Sequence, residues 1–507
     1  MFQIKTLPTS TNMASTDHEN ISPSAEYDST NDDLSSEPEP EEASLPLETT
    51  SGNEERMGTI SSARFNILST MVGGGSLSLP LAFQKAGNAL LGPLLIIVVA
   101  SFSDFCFRLL VTAAGEPTSR KGTSSFESIA SAAFGPKIQL FSMGLVFSMC
   151  VIGSIGYAVL LRDMLVPIAD ALAPSHSQIY HNAAMLTIVV FVTPLTTLQT
   201  LTSLKRFGAT SMLSVVTLGC CVIYRSIQCN FGIDQERHTQ WYHYIRLFPN
   251  SPSDLLDAVP LFISCFVCHY NISTVHNELR NPTPTRTSWW IRSTTWSAAI
   301  FYLLMGFAGS MYGNCTPSGN VQGNVLLDFA EDDPLLLMGR LCLAITITLA
   351  FPMLIIPARD IVLRLITPRD GDDDSGESLL EEGEVMERDL HEPLLGSAVE
   401  EHKDSFSRRF AVAIVVFWSA AGIACCISSI DIVWDLLGSS LSILLSYLLP
   451  CGSYLVLVEQ HEDFDEGVGS QYKKRLSKGM CWFLLILFGP LMIISTTNAI
   501  YKTFFAH

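Results

Sequence analysis

Eleven stretches of this chain stay apolar for about 20 residues or more, the length a helix needs to cross a hydrocarbon core roughly 30 Å thick. They cover roughly residues 62–85, 89–113, 137–164, 182–202, 207–228, 254–276, 290–312, 335–366, 409–430, 432–458 and 480–502. In lipid every peptide N–H and C=O must find a partner inside the protein, and helices achieve this one segment at a time. The expected fold class is therefore an all-α polytopic membrane protein. Composition agrees: 48% of the 507 residues are hydrophobic, 16% are charged, and mean hydropathy is +0.32.

The net charge of −19 belongs to two segments. Residues 1–57 and 370–404 hold 13 and 14 of the 49 acidic residues and are rich in Ser, Pro and Glu. Neither can bury a core, so residues 1–57 read as a disordered acidic cytosolic tail and 367–407 as a disordered acidic cytosolic loop. Residues 58–507, with that loop inside them, read as one eleven-helix membrane domain. Without the two tracts the membrane body is slightly basic, and nucleic acid is not an expected partner.

Basic residues set the orientation. With the N-terminus in the cytosol, the inner loops collect most of them, including Arg120, Lys121, Lys205, Arg206, Arg280, Arg286, Arg408, Arg409, Lys473 and Lys474. Eleven crossings then leave the C-terminus outside or in a lumen. The sequon Asn314-Cys315-Thr316 falls on that outer side, where Asn314 is a candidate glycosylation site. The sequons at Asn20 and Asn271 fall in the tail and in a span and should be silent. Cys229 and Cys315 also fall at outer loops; they are either a disulfide pair or two free thiols.

The first span reads "FNILSTMVGGGSLSLPLAF" (65–83). Gly73, Gly74 and Gly75, then Ser76, Ser78 and Pro80, sit where a membrane helix should be continuous. Three glycines let a chain unwind without side-chain clash. Unwound backbone is tolerated at this depth where it lines a cavity, and its freed N–H groups suit a carboxylate. Close helix packing by small residues is the other reading. The sixth span, "VPLFISCFVCHYNISTVHNEL", turns polar from Cys268 through His269, Tyr270 and Asn271. Polar groups at that depth usually face a cavity. Two interruptions five spans apart fit inverted repeats of five helices with an eleventh added. His269 is either a proton-coupling group or a hydrogen-bonding core residue. In the eighth span, Thr346 and Thr348 offer hydroxyl oxygens to a cation, or bond back to their own helix. Segments 66–80 and 262–275 contain no charged side chain, which points to a neutral substrate. Paired catalytic carboxylates, a nucleophile elbow and a phosphate loop are all missing from the sequence, so an enzyme is not expected.

These motifs, in this order, resemble the amino acid/auxin permease family, and most closely its sodium-coupled neutral amino acid transporter branch. The first span is similar to that branch's F-N-L-S-N-A-I-V-G-S-G-I-L-G-L, and "CFVCHYNISTVHNEL" to its F-V-C-H-P sixth helix. "SFESIASAAFG", "PLTTLQTLTSLKRFGATS", "ITITLAFPMLIIPARD" and "GSSLSILLSYLLPCGSYL" match further segments. The resemblance implies a LeuT-like fold, alternating access, and an amino acid held between the first and sixth helices. It implies substrate contacts at Gly73, Gly74, Gly75, Ser76, Phe266, Cys268 and His269, and a coupling-cation site built from Asn66, Ser69, Thr346 and Thr348. No organic cofactor or structural metal is implied; Na⁺ or H⁺ is the coupling ion. The chain departs from the branch at Ser69 (Asn there), Ala350 (Thr) and Tyr270 (Pro). The first two touch the expected sodium side and leave Na⁺ and H⁺ both open. An alternative reading is an amino acid sensor of an endosomal or vacuolar membrane whose N-terminal tail binds a cytosolic partner. "ESLLEE" and "EPLLGS" resemble acidic dileucine sorting signals, so plasma membrane and vacuolar or lysosomal membrane both remain open.

Overall fold

The computed structural model describes residues 58–114, 125–172, 178–197, 205–231, 241–331, 333–366, 395–427, 430–459 and 468–505. The acidic tail 1–57 and most of the acidic loop, with Asn20 and the first residues of both dileucine motifs, lie outside the described residues. The helices are α1 (Ile60–Met71), α2 (Leu79–Ala86), α3 (Leu91–Ala114), α4 (Phe126–Phe134), α5 (Pro136–Leu172), α6 (Gln178–Val192), α7 (Lys205–Phe231) and α8 (Pro252–Ser264). They continue with α9 (His269–Asn277), α10 (Pro284–Met311), α11 (Pro334–Ile366), α12 (Leu395–Ala424), α13 (Ile430–Leu436), α14 (Leu449–Glu459) and α15 (Val468–Phe505).

Among the described residues, 9 helical segments are long and apolar enough to cross a membrane. The α8–α9 segment has 72% of its window buried and α15 only 22%, which separates the centre of the bundle from its rim. On the rim, Phe191, Ile486 and Ile493 are exposed, as lipid-facing side chains must be.

Helix α12 differs from expectation at both ends. It begins at Leu395, so residues 395–407, expected in the acidic loop, are helical. Ala398, Glu400, Glu401 and Lys403 are good helix formers, and they carry the span outward as a soluble turn or more. It stops at Ala424 rather than 430. There the buried Arg162 of α5 donates to the carbonyls of Ala424 and Ile427 (3.2 and 2.9 Å), satisfying orphaned C-terminal acceptors.

Both interrupted segments restart with local signals. Pro80 sits in the first turn of α2, where its missing N–H costs nothing. Helix α8 opens on a capping box in which Ser251 and Asp254 each accept the other's main-chain N–H. Segment 430–459 runs through two π turns, Leu437–Leu441 and Leu444–Leu448. The first brings Gly438 against the Pro260 carbonyl of α8, so close that a Cβ would lie 2.6 Å from it.

The two ends of the bundle are tied differently. At one end, Gly58 and Leu279 form a parallel bridge: Gly58 N–H donates to the Glu278 carbonyl (2.8 Å), and Arg280 N–H donates to that of Gly58 (2.9 Å). At the other, Asp257 of α8 accepts from Lys85 of α2 (3.1 Å), from Asn498 of α15 (2.9 Å) and from Lys502. Gln84 there donates to the Gly319 carbonyl (3.1 Å) and accepts from Val321 N–H (2.9 Å). Asp333, just ahead of α11, meets Arg225 at 2.6 Å. Burial pushes its carboxyl up, but the Arg225 hydrogen bond and charge outweigh this and hold it below the ordinary range.

At the same end Cys229 and Cys315 form a disulfide with Cα atoms 6.3 Å apart. Beside it Asn314 is half-buried, its Nδ2 donating to Asn230 Oδ1 at 3.1 Å. Closing a loop of separation 86 should contribute about 3 kcal/mol. Cys315→Ser is therefore expected to lower the melting temperature of detergent-purified protein measured by tryptophan fluorescence, with an unchanged melting curve refuting a stabilising role.

Candidate functional site

Helix α1 ends at Met71, the backbone opens through Val72 and Gly73, and a 3₁₀ turn at Gly74–Leu77 leads into α2. The bonds of that turn begin with Ser76 N–H to Gly73 (3.1 Å), which leaves the N–H groups of Gly74 and Gly75 without partners inside it. The sixth segment opens at 265–268, between α8 and α9. No glycine or proline lies in Cys265–Cys268. This break is held by its neighbours instead. The Tyr302 hydroxyl of α10 lies 2.7 Å from the Met71 carbonyl and 2.8 Å from that of Cys265, donating to either interruption. Cys265 Sγ in turn reaches the Gly75 carbonyl at 3.5 Å.

A cavity of about 40 Å³ lies against both breaks. Thr70, Met71 and Gly75 border it from the first segment and Ser264, Val267 and Tyr270 from the sixth. Met149, Gly153 and Tyr157 of α5 form a second wall, and Ala350, Met353 and Leu354 of α11 a third. Trp434 and Leu437 close it where α13 meets the first π turn. No charged side chain lines it. By volume it admits roughly three waters. The Trp434 indole N–H is buried without a partner. Tyr157 packs edge-on against Trp434 and Phe351, and its hydroxyl sits where a Cβ on Gly73 would lie, at 2.6 Å.

The expected site residues separate into groups. Gly75 lines the cavity, while Gly73 and Gly74 lie beneath Tyr157 and Trp434. Ser76 is buried with its Oγ donating to the Gly73 carbonyl (2.8 Å), so it shapes the turn rather than facing the cavity. Phe266 packs edge-on against Tyr302 at 5.2 Å, and Cys268 is buried ahead of α9; neither lines the cavity. His269 lies apart from it too, 4.2 Å from the Phe107 ring, with neither ring nitrogen hydrogen-bonded.

The four residues expected at the cation site lie on α1 (Asn66, Ser69) and α11 (Thr346, Thr348). The Asn66 carbonyl accepts both the Ser69 and Thr70 hydroxyls, each at 2.9 Å, while Asn66 Oδ1 is buried and unpartnered. Thr346 bonds back to Cys342 (3.0 Å) and across to Ser211 of α7 (3.3 Å); Thr348 is half-buried. Tyr157 and Trp434 of the cavity wall, and Tyr302 between the two breaks, were missed because nothing local marks an aromatic residue for such a place.

A profile described as transmembrane amino acid transporter protein matches residues 56–500. The chain belongs to this family. Among its relatives, "Vacuolar amino acid transporter 5" of Schizosaccharomyces pombe is 24% identical over 438 residues, covering 86% of this chain and 93% of that one. "Vacuolar amino acid transporter 2" of Saccharomyces cerevisiae is 24% identical over 86% of this chain and 82% of its own. "Putative sodium-coupled neutral amino acid transporter 11" of Bos taurus is 26% identical over 60% of this chain and 62% of its own length. The chain is thus a multi-pass membrane protein of an amino acid transporter family, and not an enzyme.

Proposed function

We propose that this protein is a secondary transporter that carries a neutral amino acid, coupled to Na⁺ or H⁺, with the substrate bound where the first and sixth segments come apart. The observation carrying this is the uncharged cavity bordered by both interruptions. On this reading the Gly74 and Gly75 N–H groups receive the carboxylate, and the Trp434 N–H and Tyr157 hydroxyl offer further polar contacts. Methionine, leucine and valine around them accept an apolar side chain. The broken first segment and Pro284–Met311, added to the nine clear spans, make eleven crossings in a LeuT-like arrangement of two five-helix repeats. The basic loops support an orientation with Gly58 and Leu279 on the cytosolic side and the disulfide outside or in a lumen.

The test is uptake by purified protein in liposomes, across a panel of amino acids. Neutral amino acids should accumulate and arginine and glutamate should not. Replacing Na⁺ with choline at fixed pH should abolish accumulation under sodium coupling; uptake that persists and grows on acidification assigns the proton. Preference for a charged amino acid would overturn the substrate reading.

A further inference from the structure

A second cavity, of about 230 Å³, lies nearer the Gly58–Leu279 end. Its chemistry is the opposite of the first: Glu127, Glu278, Asp360 and Arg364 line it together with Asn271 and Thr274. The two cavities follow the same two helices in succession. Along α5 the small one takes Met149 and Gly153, and the large one takes Val146. Along α11 the small one takes Met353 and Leu354, and the large one Ile356, Pro357 and Asp360. Tyr270 alone borders both.

Tyr270 is almost wholly buried and is the second residue of α9, directly after the break at 265–268. Its hydroxyl lies beside the thiol of Cys150 of α5, which sits between Val146 and Gly153 and is itself fully buried. Tyr270 is thus the one side chain both cavities share, mounted beside an unwound hinge and resting against the opposite wall at Cys150. Hinges of this kind absorb the backbone change when a packed helix swings.

We propose that Tyr270 is the inner gate: swinging α9 about 265–268 parts Tyr270 from Cys150 and joins the uncharged cavity to the acidic vestibule. This rests on the transport reading for its purpose but not for its test. The vestibule's carboxylates would meet the ammonium group of a departing amino acid, drawing it from a cavity that offers that group no counter-charge.

Cys150 is a native reporter, because a thiol must be reached by solvent to be alkylated. N-ethylmaleimide labelling of Cys150 in proteoliposomes, quantified by mass spectrometry of its peptide, reads the gate whether or not transport occurs. Tyr270→Ala should raise the labelling rate well above that of the wild type. Tyr270→Phe keeps the ring volume, and so the packing, but removes the hydroxyl beside Cys150; it should raise labelling about twofold to fivefold. Unchanged labelling in Tyr270→Phe overturns the gate, even if neutral amino acids are transported. Raised labelling in a protein that carries no amino acid would uphold the gate and overturn the transport reading.

Discussion

Replacing Gly74 with leucine abolishes amino acid uptake while the protein still inserts and purifies as a monodisperse species. This is the largest effect expected. A Cβ at Gly74 would lie 2.8 Å from Leu160 Cδ2, 3.1 Å from Trp434 and 3.3 Å from the Tyr157 ring. All three are side chains rather than backbone, so the helices can still assemble, but two of them, Tyr157 and Trp434, are cavity walls. Overpacking of this kind costs about 1–3 kcal/mol, and spent on the closed, substrate-bound geometry it corresponds to roughly a tenfold to hundredfold loss of transport. Gly74→Ala should fall between wild type and leucine. The comparison is initial uptake per unit of inserted protein; normal uptake by the leucine variant would mean that the unwound stretch is packing and not a binding surface.

Tyr302→Phe should be nearly as damaging, for a different reason. The Tyr302 hydroxyl lies within hydrogen-bonding distance of the main chain on both sides of the site, at Met71 and at Cys265, and the residue is fully buried. Phenylalanine fills the same space, so packing against Phe266 and Phe301 survives. What disappears is the donor that keeps two open carbonyls company away from water, at a cost of about 1–3 kcal/mol. We expect uptake to fall roughly tenfold or more, since that cost is a tenfold change for each 1.4 kcal/mol. Thermal stability should drop with it, as read by tryptophan fluorescence. A variant that transports and melts like the wild type would show that the two breaks hold themselves open.

The helices were legible because lipid leaves few alternatives: an apolar run of the right length must be a helix. The first interruption was legible for the same reason, since Gly73–Gly75 has no other local explanation than unwinding or close packing. The sixth was harder. Cys265–Cys268 contains no residue that breaks helices, and what opens it is a hydroxyl arriving from α10 and a thiol contact to Gly75. Such causes are tertiary and leave no trace in sequence. The same limit explains His269: an imidazole buried against Phe107 and one lining a cavity look alike in a string of letters. Thr346 left two readings in sequence, a hydroxyl offered to a cation or one turned back on its own helix; its hydroxyl does bond back to the Cys342 carbonyl. Helix α12 outran its expected start because propensity, not hydropathy, governs where a helix ends in water.

The bridge between Gly58 and Leu279 has a mechanical meaning. It joins the start of α1 to the end of α9 through peptide groups alone, so a force applied to either is delivered to the other without any side chain to wear away. Its backbone contact leaves no room at Gly58, where any Cβ would run into the Glu278 carbonyl at 2.5 Å. A pair of rods shackled in this way cannot rock independently, and whatever tugs on the chain ahead of Gly58 tugs on the rod that carries Tyr270.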